Sequence, residues 1–151
     1  MNEYDKQYLH YDTEKWALDY FNSDNGGYLV IDRERITQGN VNKQERGKYE
    51  KEYSMCRTLA QNGYKVEYLK EIEGKYDIRL NGIPADLKKT KSHNHIVDYA
   101  KKAIRKQGAD IVVFEFEKET KRIQEELDKL KRDRIKVYYY FIVDKSKIHV
   151  L

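Results

Sequence analysis

The chain has 151 residues, 37% of them charged and 13% aromatic, with 14 tyrosines, a formal net charge of +4 and one cysteine, Cys56. That length suits one hydrophobic core and not two, the aromatic content sets the chain apart from disordered polar sequences, and a lone cysteine excludes an internal disulfide framework. The modest charge points to an anionic partner met through a local basic patch. No apolar run approaches the ~18 residues of a membrane span, and the N-terminus, MNEYDKQYLHYD, lacks the apolar stretch of a signal peptide. The expectation is a soluble chain whose site of action is the cytoplasm, either complete or excised from a larger protein whose export signal lies elsewhere.

Residues 1–42 read as an aromatic-rich lead-in that packs on the core, and residues 43–151 as the main α/β part of one domain. Thr13 suits the N-cap of a short helix through Trp16 and Phe21, with Trp16 as packing, and Tyr28 to Ile31 suits a strand. From Asn42 to Asn62 the recurrence of Tyr49, Tyr53, Cys56, Leu59 and Ala60 predicts a helix closed by Gly63, with Glu52 at the border of its apolar stripe. Cys56, inside that stripe, reads as a small buried hydrophobe. Tyr64 to Leu69 alternates as a strand.

A hairpin follows, turning at Asn81-Gly82, the pair best suited to the positive φ angles of a type I′ turn. Alternation then puts Tyr76, Ile78, Leu80, Ile83, Ala85 and Leu87 on one face, and Lys75, Asp77, Arg79, Asp86 and Lys88 on the other, with Asp77 opposite Asp86. Like charges across a strand pair cost up to about 1 kcal/mol. A cation, a shared proton or the nearby lysines would compensate. Pro84, two residues past the turn, suggests an edge or a bulge.

Ser92 or Asn94 is placed to cap the next helix, which carries Ile96, Ala100, Ala103 and Ile104 on one side and Gln107 as the next member of that apolar series. Lys89, Lys91, Lys101, Lys102, Arg105 and Lys106 form a basic rim suited to tracking phosphates. ADIVVFEF, from Ala109, reads as a strand covered on both sides, Lys118 to Arg134 as a charged amphipathic helix with Ile123, Leu127 and Leu130 inward, and Ile135 to Val143 as a last strand before a short tail. The fold class is α/β with a central mixed sheet: a core order αβββαβ, then a further helix and strand.

Asp77, then Asp86-Leu87-Lys88, then Gln107 at the end of the next helix resemble the PD-(D/E)xK nuclease superfamily. That resemblance implies an acidic pair, Asp77 and Asp86, holding a divalent cation, normally magnesium, and Lys88 orienting or activating the attacking water. Tyr76 stands where the motif has proline, and Asp86 where glutamate is commoner. The stretch from Glu50 to Phe116 also resembles the C-terminal tRNase domains of CdiA-type contact-dependent inhibition toxins and related phage and mobile-element domains. This implies a small RNase acting on tRNA, a cognate immunity protein as partner, and Asp77, Asp86, Lys88, Thr90 and Gln107 as site residues. Many related toxin folds need no metal, so the cofactor is either none or magnesium. A metal-free RNase requires a general base and acid, for which histidine, ordinarily titrating near pH 6.5, is suited; His93 and His95 lie just past the strand end. The expected function is a toxin-like ribonuclease acting on tRNA. The alternatives are a magnesium-dependent DNA endonuclease using the same groups and an inactive nucleic-acid-binding module of a mobile element.

Overall fold

A computed structural model describes residues 10–151, so the part of the lead-in before His10 lies outside the described residues. Among these residues eight strands and four helices form, and the class is α/β with mixed strand directions. From Lys43 the order is helix, three strands, helix, strand, then helix and strand as expected, with one strand more at the end. The chain divides into two compact units, one running to Ile72 and taking in Asp77–Gly82, the other formed by Glu73–Tyr76 and Ile83–Leu151.

In the first unit the strands are β1 (Trp16–Phe21), β2 (Tyr28–Asp32), β3 (Lys65–Tyr68) and β4 (Ile78–Leu80), in that order across the sheet. β2 is buried throughout, antiparallel to β1 and parallel to β3, and β3 is antiparallel to β4. Trp16–Phe21 is therefore a strand where a helix was expected. The Asp12 carboxylate accepts from the Glu14 N–H at 2.9 Å and the Asp12 carbonyl from the Trp16 N–H at 2.8 Å, which makes a turn at Thr13 in place of a helix cap. The aromatic segment then finds its backbone partners on buried β2, where tertiary context overrides helical spacing. Trp16 does pack, edge-on to Tyr11.

Helix α1 (Arg33–Gly39), which the sequence reading did not foresee, starts directly from β2, capped by the Asp32 carboxylate through the Glu34 N–H at 2.9 Å. Helix α2 (Lys43–Gln61) begins at Asn42, which caps the Glu45 N–H at 2.8 Å, and ends before Gly63 at φ +93°, as its sequence requires. Met55, Cys56, Leu59 and Ala60 are buried on its inner face.

In the second unit the strand order is β5 (Ile83–Thr90), β6 (Ile111–Phe116), β7 (Val137–Phe141) and β8 (Asp144–Val150). The first two pairings are parallel and the last antiparallel, so the expected tail is a strand. Helices α3 (Ile96–Lys106) and α4 (Lys121–Arg132) bury Ile96, Ala100 and Ala103 and Ile123, Leu127 and Leu130 in one core with Val112, Phe114 and Phe116 of β6 and Val137, Tyr139 and Phe141 of β7. Pro84, which has no N–H to offer, uses its carbonyl to accept from Asp110 at 2.9 Å. Asn81 and Gly82 adopt φ +50° and +82°, the values a type I′ turn needs. Ile83, expected inward, is exposed beside that turn. Neither Ser92 nor Asn94 caps α3: His95 occupies the N-cap in left-handed conformation, φ +67°, with no side-chain cap bond.

Candidate active-site groups

In the first unit the sequence places an acid where an apolar stripe meets its polar border. Glu52 on α2 is turned against β3 and is only 15% exposed. Its Oε1 accepts from Arg35 Nη2 at 3.2 Å and from the Tyr68 hydroxyl at 3.0 Å. Burial raises the Glu52 carboxyl above the ordinary glutamate range, the charge of Asp77 adds to the rise, and Arg35 and Tyr68 oppose it. Asp77 lies just ahead of β4, and its carbonyl accepts from the Leu69 N–H at 3.2 Å. Asp77 thus has a carboxylate neighbour, Glu52, that the sequence reading noted only as a border residue. The signal available was a glutamate recurring with Tyr49, Cys56 and Leu59 on a helix that must cover a sheet. Burial, first of all, also pushes the Cys56 thiol up, as expected of an inert buried cysteine.

In the second unit β5 carries Asp86, Lys88 and Thr90 two residues apart, opposite Val112, Phe114 and Phe116 of β6, and so on the face that α3 and α4 cover. The Lys88 ammonium sits 3.8 Å from the ring centroid of Tyr99 on α3, a cation–π contact that fixes the end of a flexible side chain. Thr90 Oγ1 accepts from the Ser92 N–H and donates to the Ser92 carbonyl, both at 3.2 Å, which ties down the loop that carries His93. His93 is half-buried. His95, 70% exposed, lies 3.7 Å from Asp98 and edge-on to Tyr99. Gln107 is half-buried and forms the C-cap of α3, one residue past the helix.

The basic residues divide by what they touch. Lys89 faces the opposite side of β5 from Lys88 and pairs at 3.4 Å with Glu115, a buried carboxylate that also accepts from the Tyr140 hydroxyl at 2.5 Å. Lys101 pairs with Asp133 at 3.7 Å. Lys91, Lys102, Arg105 and Lys106 are exposed.

Magnesium takes oxygen ligands and keeps several waters, so that one or two carboxylates suffice to hold it. Glu52 is already paired through Oε1 with the Arg35 guanidinium at 3.2 Å, which supplies its counter-charge without an ion. Among the described residues no group of three or more His, Cys, Asp and Glu side chains is gathered to hold a metal. No described helix is long and apolar enough to cross a membrane.

No family model matches the chain, and no curated protein does. Among solved structures, a CdiA-CT/CdiI toxin and immunity complex from Burkholderia pseudomallei is similar, with a TM-score of 0.55 at 17% identity over 74% of this chain and 89% of that one. The chain has a fold like that of a contact-dependent inhibition toxin domain.

Proposed function

We propose that this chain is a toxin-like nuclease acting on RNA, and on tRNA in particular. The observation that carries the reading is Glu52, a carboxylate only 15% exposed on α2 and held through Oε1 by Arg35 at 3.2 Å and the Tyr68 hydroxyl at 3.0 Å, with burial raising its proton affinity. A desolvated carboxyl group held in place by neighbouring donors is suited to proton transfer. RNA brings its own nucleophile, the 2′-hydroxyl, so cleavage needs a base, an acid and positive charge at the phosphate. Glu52 and Asp77 are the candidate proton-handling acids. In the second unit, taken by itself, Asp86, Lys88 and Thr90 line one face of β5, Lys88 is a candidate cation for phosphoryl oxygens, and His93 and His95 are candidate proton donors. Gln107 is a candidate polar contact at the end of α3. Lys91, Lys102, Arg105 and Lys106 offer phosphate contacts.

A magnesium-dependent DNA endonuclease is the second reading, for which the sequence motif implies Asp77 and Asp86 as the acids, and a bound ion would supply stabilisation of charge on the phosphoryl oxygens. The similarity to a toxin and immunity complex supports the toxin assignment and a cognate immunity protein as partner.

The test is incubation of the chain with tRNA and with plasmid DNA, each with magnesium and with chelator. Cleavage of tRNA, lost in Glu52→Gln and Asp86→Asn, is the expected result, and its survival in chelator would select the metal-free route. Cleavage of plasmid alone would replace the RNase by the DNA endonuclease, and binding of nucleic acid without any cleavage would favour an inactive binding module.

A further inference from the structure

We propose that Arg35 and Tyr68 are positioning residues that clamp one oxygen of Glu52 and leave the other for the reaction, an inference that rests on the nuclease reading above. Arg35 belongs to α1, which no sequence pattern announced, and it is 1% exposed. A buried guanidinium is costly unless it is paired and its donors are satisfied. Arg35 meets only part of that demand. Its carbon lies 5.4 Å from the ring centroid of Tyr49 and 5.2 Å from that of Tyr68, and Nη2 reaches Glu52 Oε1 at 3.2 Å. Nη1 is buried without a hydrogen-bond partner among the described residues.

An arrangement optimised for stability would be the bidentate fork, two parallel bonds from the guanidinium to both carboxylate oxygens. Here both donors, Arg35 Nη2 and the Tyr68 hydroxyl, converge on Oε1, and neither takes Oε2. The carboxylate is held through one oxygen, and Oε2, which takes neither donor, is the oxygen the proposal assigns to the reaction. The ring of Tyr49, stacked on Tyr68 at 5.4 Å, also packs against the guanidinium. Gly39 lets α1 lie against Tyr49, for a Cβ there would come within 2.7 Å of the tyrosine ring. The same features that cost stability therefore share one outcome, the orientation of Glu52. The charged and titratable groups facing Glu52 are Arg35 from α1, Tyr68 from β3 and Asp77 ahead of β4, with Cys56 one turn along α2.

Tyr68→Phe is the decisive variant, because it keeps the ring under Arg35 and removes one bond to Oε1. In the full chain the Glu52 carboxyl is titrated by carbon-13 NMR, and kcat and KM for tRNA cleavage are measured across pH. The expected result is a Glu52 titration moved up by about half a unit to one unit, a kcat about tenfold lower with KM within about twofold of the parent, and no further loss when Tyr68→Phe is added to Glu52→Gln. Arg35→Lys, which retains the charge, should keep more activity than Arg35→Met. An unmoved Glu52 titration in folded Tyr68→Phe, or an undiminished loss in the Glu52→Gln background, would overturn the clamp. Parental tRNA cleavage by Glu52→Gln would instead overturn the assigned role of Glu52, while the NMR titration would still decide whether Tyr68 and Arg35 orient it.

Discussion

Glu52 is pulled in two directions: burial and Asp77 hold its proton on, and Arg35 and Tyr68 draw it off. Two consequences have definite signs. Asp77→Asn removes a negative charge and should move the Glu52 titration down, opposite to the effect of Tyr68→Phe, as NMR will show. Because the folded-state value is raised, the stability contributed by Glu52 is complete below the ordinary carboxyl range and is lost as pH rises through the folded value. In urea unfolding from about pH 4 to about pH 8, the stability difference between Glu52→Gln and the parent should therefore shift in favour of the glutamine variant as pH rises. A difference that stays constant, or shifts the other way, would show that Glu52 titrates at or below its unfolded value. At this scale the sequence was partly legible. Asp77, Asp86 and Lys88 stood out because acids and a lysine recurred around a turn signal, whereas Glu52 became a candidate only once α2 was laid on β3 and Arg35 arrived from an unforeseen helix.

Elements show where local sequence decides and where packing does. Thr120 accepts from the Ile123 N–H at 3.1 Å and caps α4, so Thr120→Ala should cost about 1 kcal/mol in urea unfolding. His95 caps nothing, and His95→Ala should change stability by no more than about 0.5 kcal/mol; any effect of that variant on cleavage can then be read as chemistry or binding. Gly27 shows how closely β2 and α2 meet. A Cβ there would lie 1.9 Å from the Ala60 carbonyl oxygen, so Gly27→Ala should destabilise by at least about 2 kcal/mol. Helices α2, α3 and α4 and strands β2 to β7 were legible because glycines and periodicity agreed, although the N-cap of α3 did not follow its polar candidates. β1 was misread because its aromatic residues recur at helical spacing, and only the ladder offered by buried β2 settles them as a strand. α1 escaped notice because in seven residues, capped by Asp32, it buries little besides Arg35 and Gly39.

For the whole molecule, the small net charge and the exposed Lys91, Lys102, Arg105 and Lys106 predict binding to RNA that weakens with salt. Each of these residues that contacts a phosphate should, on substitution by alanine, reduce the slope of log affinity against log salt by about 0.7 for a single-stranded site, measured by fluorescence titration. The α/β class and the order of elements from residue 43 could be read from the chain, because alternation and helical spacing switch cleanly there. The placement of Lys88 over Tyr99 could not, since it depends on where α3 crosses β5. The proposed cleavage of tRNA by this chain needs positive charge at the phosphate, for which Lys88 on β5 is the candidate. Its most direct test is single-turnover cleavage of tRNA by Lys88→Met, which keeps a side chain of similar length and removes the charge that lies over Tyr99. The account predicts a rate at least about 100-fold below the parent, with tRNA affinity within about threefold; cleavage by the variant at the parental rate would contradict it.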